Sequence, residues 1–271
     1  MTVKEVTDRI IKACAVKLPF PQTCDILHAG DYSLEVKKIG VCFMADMEVI
    51  RKAKEEGINL IITHEPTYYS SLDDYKWLEG NPVYEEKKKF LEEAGISIWR
   101  FHDYMHCYRP DLIYEGWKKE MDWEGYLVKN DVSGMDHHFC IPEITLDKLV
   151  GFFKEKLSMD SIRVIGNPSM VCKDIGVLVG GGSLGLGDEN MPAKMISRDD
   201  VDTLVCGEIL EWTTLAFVRD AVMQGREKAV IVLGHNRTEE AGMKHLPVWL
   251  KQVLPEYSID FIPSGDPVEY R

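Results

Sequence analysis

The chain has 271 residues, 45% hydrophobic and 28% charged, with a formal net charge of -13 at pH 7. That length suits two domains or one large one, and the composition is ordinary for a globular protein. The acidity, with no basic run to offset it, disfavours a phosphate-backbone partner such as nucleic acid and weakly favours cation binding.

The N-terminal stretch MTVKEVTDRIIKACAV is charged and periodic and lacks the apolar core of a signal peptide. No stretch is apolar enough for long enough to span a bilayer. A cytoplasmic protein without a membrane partner is therefore expected. The 7 cysteines are scattered and form no CxxC pair, and an odd count disfavours a fully paired disulfide framework. Most read as buried thiols; Cys107, beside His106, lies nearest to candidate chemistry.

Taken in order, Val3, Val6, Ile10, Ile11 and Cys14 have helical spacing. Pro19 and Pro21 break that helix, and Gly30-Asp31 is a turn. Val36 to Phe43 predicts a strand. Asp46 can cap the next helix, whose Val49, Ile50 and Ala53 face a sheet, and Gly57 ends it. Leu60 to Thr63 predicts a second strand, so a parallel βαβ unit is expected. Pro66 restricts Glu65 to extended geometry, which leaves His64 and Glu65 at the carboxyl end of that strand. Ligands of open α/β sheets bind at that edge.

Thr67 to Asn81, with Tyr68, Tyr69, Tyr75 and Trp77, reads as a loop or lid, or as ordinary aromatic packing. Asn81-Pro82 starts a charged helix that ends at Gly95. A third strand, Ile96 to Phe101, runs into His102-Asp103-Tyr104-Met105-His106. Pro110 to Leu127 predicts a helix with Ile113 and Trp117 buried. Asp131 to Ile141 reads as a strand opening a second domain, with His137-His138 in an exposed hairpin or interface.

Thr145 opens another helix, and strands are expected at 162–165 and 173–179. The glycine-rich run 180–187 matches neither the phosphate loop nor the dinucleotide fingerprint. It reads as a tight turn that could cradle an anion with backbone N–H groups. Val201 to Val205 predicts a strand ending at Cys206-Gly207-Glu208, and Thr213 to Gln224 a helix. Lys228 to Leu233 predicts a strand ending at Gly234-His235. A helix beginning near Asn236 would put His235 at its mouth and Glu239 on its first turn. Residues 242–253 continue as helix, and 254–262 hold the last strand.

Three strand ends thus carry His with carboxylates: His64 with Glu65, His102 to His106, and His235 with Glu239. A fourth carries Glu208. Imidazole and carboxylate donors together suit Zn, Fe, Mn, Co or Ni. The expected ligands are His64, Glu65, His106, His235 and Glu239. Five side chains are enough for two divalent ions that share a water or a bridging carboxylate.

Several segments together carry a family resemblance. Gly40 to Pro66 follows a strand, helix and strand that in the family ends in Thr-His-His-Pro. Asp202 to Gly207 with Glu208 resembles a strand ending in Gly-Asp, and Val232 to Glu239 resembles Gly-His-Tyr-Ala-Thr-Glu. Ser264-Gly265-Asp266-Pro267 resembles a terminal Asn-Pro stretch. On these motifs the chain resembles the NIF-three-like family, also called GTP cyclohydrolase I type 2 homologues, over most of 1–128 and 170–271.

The resemblance implies an α/β NIF-three-like fold of two α/β domains with a metal site in the cleft between them. Residues 1–128 and 200–271 would form one discontinuous domain and 129–199 a smaller inserted one. Two positions depart from the family pattern. Glu65 stands at the second motif histidine, and His106 stands at an aspartate, with Asp103 as the alternative ligand if the register shifts. These exchanges compensate, leaving three His and two carboxylates. His102 and Glu208 would hold a ligand by a hydrogen bond or move protons.

The activity implied is metal-dependent hydrolysis of a small molecule, with opening of a purine ring, as in GTP, as the model reaction. The alternative is a non-catalytic metal-binding protein, a metal chaperone or regulatory scaffold. A ring-like hexamer is also implied, so a homo-oligomer, hexamer or dimer, is expected.

Overall fold

The computed structural model describes residues 1–71, 74–129, 137–185, 188–269 and 271. By internal contacts the chain divides into a first unit, Met1–Gly116 with Glu240–Pro267, and a second, Trp117–Glu239 with Val268–Arg271.

The first unit begins with α1 (Val3–Cys14), started by a capping box in which Thr2 and Glu5 satisfy each other's backbone N–H groups. Strand β1 (Leu27–Ala29) follows, then β2 (Ile39–Cys42). Helix α2 (Met47–Glu55) starts at Asp46, whose carboxylate accepts from the Val49 N–H at 2.9 Å, as its sequence position predicts. Strand β3 spans Leu60–Thr63. Helix α3 (Pro82–Ala94) opens on Asn81 and Pro82 and closes on Gly95 at φ 62. Strand β4 (Ser97–Arg100) leads into a short helix, α4 (Asp103–Cys107), and α5 (Leu112–Glu120) carries the chain out of this unit.

Every residue of β2, β3 and β4 is buried, as expected of strands covered on both faces. One face packs Val49, Ile50, Ala53 and Leu91 against Ile61 and Ile98. Within the expected lid, Tyr68 is buried and meets Tyr84 edge-on at 5.0 Å, whereas Trp77 is 66% exposed. Tyr68 is therefore core packing. Residues 72–73 of that stretch lie outside the described residues.

The second unit contains β5 (Leu127–Lys129), β6 (His137–Thr145), α6 (Leu146–Leu157), β7 (Arg163–Ile165) and β8 (Val171–Leu178). A 3-10 turn covers Gly180–Leu184, and α7 (Met191–Ile196) follows it. Then come β9 (Thr203–Cys206), a π-helical turn at Glu211–Leu215, α8 (Ala216–Met223) and β10 (Ala229–Val232). Helix α9 (His235–Val253) starts here and continues into the first unit. The sheet order is β5-β6-β8-β9-β10-β7, with β8, β9 and β10 parallel and the remaining pairs antiparallel.

Two expectations change here. The second unit is larger than a 129–199 insert. Strand β9 is hydrogen-bonded between β8 and β10, with Thr203 opposite both Ile175 and Ala229, so residues 200–239 belong with β8. His137 and His138 are not exposed; each is 4% accessible in β6, opposite Val177 and Gly176 of β8. The 131–136 part of the strand expected at 131–141 lies outside the described residues, as do 186–187 of the glycine-rich run.

Back in the first unit, α9 packs on α5 through two glycines. A Cβ at Gly116 would fall 2.4 Å from the Gly242 Cα, and one at Gly242 would fall 2.6 Å from the Ile113 Cα. Strand β11 (Ile259–Phe261) pairs in parallel with β2 and completes the order β1-β4-β3-β2-β11, in which β1 alone is antiparallel to its neighbour.

Candidate metal centre

In the first unit, β3 and β4 are parallel neighbours with Thr63 opposite Arg100, so the residues that follow both strands emerge side by side. His64 follows β3 and is fully buried. Its ring Nδ1 donates to the Phe101 carbonyl at 3.2 Å. Arg100, also buried, donates from Nε to the His64 carbonyl at 3.0 Å and from Nη1 to the Ser71 carbonyl at 2.6 Å. Its Nη2 lies 3.3 Å from Glu65 Oε2, forming an ion pair largely shielded from water.

The run His102 to His106 forms the turn of helix α4, and Asp25 explains why it starts there. The buried Asp25 carboxylate accepts from the N–H groups of His102, Asp103 and Tyr104 at 2.9, 2.8 and 3.0 Å. These donors have no partner within their own helix, so an acidic side chain at this end also meets the positive pole of the turn.

The geometry stacks the His102 ring on His64, with centroids 4.6 Å apart, and brings His106 to 5.1 Å from His64 and 4.8 Å from His102. His102 Nδ1 faces Asp103 Oδ1 at 3.0 Å, and His106 Nδ1 faces Asp111 Oδ2 at 2.9 Å. A carbonyl or an ionised carboxylate can only accept, so each of the three rings carries a proton on Nδ1, which leaves Nε2 as the nitrogen that can ligate.

Both orienting carboxylates are tied down on their other oxygen. Asp103 Oδ2 accepts from Thr23 Oγ1 at 2.8 Å and the Cys24 N–H at 3.0 Å. Asp111 Oδ1 accepts from the N–H groups of Ile113 and Tyr114 at the start of α5, at 2.8 and 3.3 Å. Burial pushes the His102 pKa down, which keeps its ring neutral and able to ligate. Burial pushes the Asp103 carboxyl up, but the hydrogen bonds from His102, Cys24 and Thr23 outweigh it and hold the group well below the usual carboxylate range.

In the second unit, three parallel strands end together. Leu178 of β8 lies opposite Cys206 of β9, which lies opposite Val232 of β10. Gly180, Glu208 and His235 therefore share one edge of that sheet. His235 opens α9, and Glu239 stands four residues on, one turn further along the helix. His235 Nε2 meets Glu239 Oε2 at 2.9 Å, and its Nδ1 meets Glu208 Oε2 at 3.3 Å. Glu239 is 2% exposed.

The glycine-rich run packs onto this pair. The Gly180 N–H donates to Thr238 Oγ1 at 2.8 Å, and φ at Gly180 is +48. A Cβ there would fall 1.8 Å from Glu239 Oε1 and 2.7 Å from His235 Nε2. The described part of the run is thus a tight turn whose missing side chain makes room for Glu239.

His64, Glu65, His102, Asp103 and His106 come together in the first unit, and Glu208, His235 and Glu239 in the second. One ring nitrogen from each of His64, His102 and His106 lies within 4.8 Å of the others, a spacing from which a single ion can be held. These donors fit a divalent transition metal. Asp103 orients His102, and both its oxygens are engaged. Sequence reasoning missed Asp25 and Asp111, and it placed Gly180 in a tight turn without its packing on Glu239. Asp111, just before a helix, carried a capping signal; Asp25, distant in sequence from α4, carried none.

The Duf34/NIF3 (NGG1p interacting factor 3) family model matches residues 1–267. A Clostridium perfringens protein named GTP cyclohydrolase 1 type 2 homolog is 24% identical over 252 residues, which is 90% of each chain. The crystal structure of a Bacillus cereus protein related to NIF3 superposes with a TM-score of 0.76 at 14% identity, over 100% of this chain and 99% of that one. A Staphylococcus aureus hypothetical protein gives 0.74 at 19% identity, over 100% and 99%. At these identities the two structures speak for the fold alone. Among the described residues no helix is long and apolar enough to cross a membrane. With a family model spanning nearly its whole length, the chain belongs to the Duf34/NIF3 family.

Proposed function

We propose that this protein is a divalent-metal-dependent hydrolase of a small molecule, and that it carries two ions. The observation that supports this reading best is the trio His64, His102 and His106, each ring anchored through Nδ1 by an oxygen acceptor. Metal-ligating histidines characteristically have their second nitrogen fixed in this way. On this reading His64 and His106, with Glu65 beside them, hold one ion, and His235 with Glu239 holds the other. A bound divalent ion supplies Lewis acidity for hydrolysis.

The remaining roles fall to the protein. The carbonyl of Phe101 and the carboxylates of Asp103 and Asp111 keep the imidazoles in one tautomer. Glu208 is exposed at the edge of the second sheet and beside His235, where it can take up a proton from a substrate. The name of the Clostridium relative makes a purine nucleotide the first substrate to try. A cytoplasmic homo-oligomer, as a hexamer or dimer, completes the reading.

The test combines elemental analysis with a substrate screen. Purified wild type should carry close to two divalent metal ions per chain, and His235→Ala fewer, whereas His245→Ala should match wild type. Unchanged metal in His235→Ala would sink the second ion. Full metal loading with no turnover of nucleotides, cyclic amides or phosphoesters would make the chain a metal-binding protein without hydrolase activity.

A further inference from the structure

We propose that His102 is itself a metal ligand, so that the ion in the first unit is held by three imidazoles, those of His64, His102 and His106. This deepens the metal reading above and rests on it. It removes His102 from the proton-moving role that its sequence position suggests.

Three observations support the assignment. First, the rings form a nearly regular triangle, with centroid separations of 4.6, 4.8 and 5.1 Å, and one nitrogen from each lies within 4.8 Å of the others. Zinc–nitrogen bonds of about 2.1 Å in a tetrahedral set put ligand nitrogens roughly 3.4 Å apart.

Second, His102 has the same anchor as its two neighbours. All three Nδ1 atoms meet an oxygen acceptor at 2.9–3.2 Å, so all three present the same donor atom, Nε2.

Third, the neighbouring carboxylates are committed. Asp103 and Asp111 each spend the second oxygen on backbone N–H groups, with Thr23 Oγ1 also on Asp103. Glu65 has Oε2 on Arg100 at 3.3 Å, and its Oε1 lies 4.0 Å from His102 Nε2. Nitrogen therefore dominates the donor set. Three imidazole donors favour zinc, cobalt, nickel or copper over magnesium, calcium or manganese.

His102→Phe is the decisive variant, because it keeps a flat ring against His64 and removes both nitrogens. His102→Asn serves the same purpose if the first does not fold, as judged by thermal melting in chelator. Zinc affinity is read by competition with a chromogenic chelator. A second readout is carbethoxylation of ring nitrogens by diethyl pyrocarbonate, mapped by mass spectrometry with and without zinc.

One of the two zinc equivalents should weaken at least about hundredfold in His102→Phe, beyond the usual loss of an orienting partner, and as much as in His106→Ala. Zinc should also protect His102 from the reagent as fully as it protects His106. A loss below about tenfold, or His102 still modified in the zinc-loaded protein, overturns the assignment and leaves the metal reading standing. Wild type that binds no zinc, cobalt or nickel overturns both.

Discussion

Substitution of Gly180 by alanine tests how the second cluster is assembled. The added methyl would sit 1.8 Å from Glu239 Oε1 and 2.2 Å from its Cδ, far inside van der Waals contact, in a backbone conformation with φ +48. Alanine in the left-handed region costs about 1–2 kcal/mol. Forcing a methyl into a filled site typically adds about 1–3 kcal/mol. The sum, about 2–5 kcal/mol, corresponds to a fall in melting temperature of roughly 5–15 °C for a chain of this size.

The clash also has a direction, since it pushes the Glu239 carboxylate off His235. Zinc binding to the second cluster should therefore weaken together with stability. Gly181→Ala and Gly182→Ala are the controls. A Cβ at Gly181 meets only His235 Cε1, at 3.7 Å, and one at Gly182 meets nothing within 4 Å. Both should stay within about 0.5 kcal/mol of wild type. Scanning calorimetry and zinc titration of the three variants decide the matter. A Gly180→Ala protein that melts with wild type and binds zinc equally well would refute the packing argument.

Asp25→Ala strips three backbone donors at the start of α4 of their buried acceptor and should cost about 2–4 kcal/mol. It should also loosen zinc at His106, and equal melting of variant and wild type in chelator would count against the cap. The Cys42 and Cys206 thiols are pushed up to about 12 by burial, so iodoacetamide at mildly alkaline pH should leave both intact in the native protein, as read by peptide mass spectrometry; alkylation at the rate of a free thiol would contradict their burial. Asp200 is held at about 2 by the two-pronged Arg198 hydrogen bond, below its ordinary 3.8, so its contribution is present above about pH 4 and is lost as pH falls toward 2. Because the pair is partly exposed, Asp200→Asn should cost no more than about 1 kcal/mol at neutral pH and nothing near pH 2, as measured by melts at both.

Local signals were legible wherever the physics was local. Asp46, Asn81-Pro82 and Gly95 mark helix ends by their own hydrogen-bonding and conformational preferences, and the structure uses each of them so. The apolar runs of β2, β3 and β4 announce buried parallel strands, which is why the polar residues after β3 and β4 could be placed at one sheet edge. Strand pairing is not local, so nothing within 203–232 says that β9 and β10 join β8 rather than β3. Strand β1 and helix α7 are too short for a period to emerge. An adjacent histidine pair reads as exposed, yet β6 buries both rings, with His138 on Asp174 at 3.2 Å. Asp25 was invisible because its partners lie some eighty positions away.

The short helix that carries His102 and His106 has a consequence for how this segment can change over time. Its two histidines sit at the cap and four residues on, a little more than one turn apart, so both rings fall on the same side. Replacing Tyr104 by another residue leaves that phase intact. Inserting or deleting one residue between the histidines swings His106 by about 100° and carries it away from His64. The segment should therefore tolerate a change of residue at Tyr104 but no change in length, and a library of single-residue insertions across 102–106 should lose bound metal at every position.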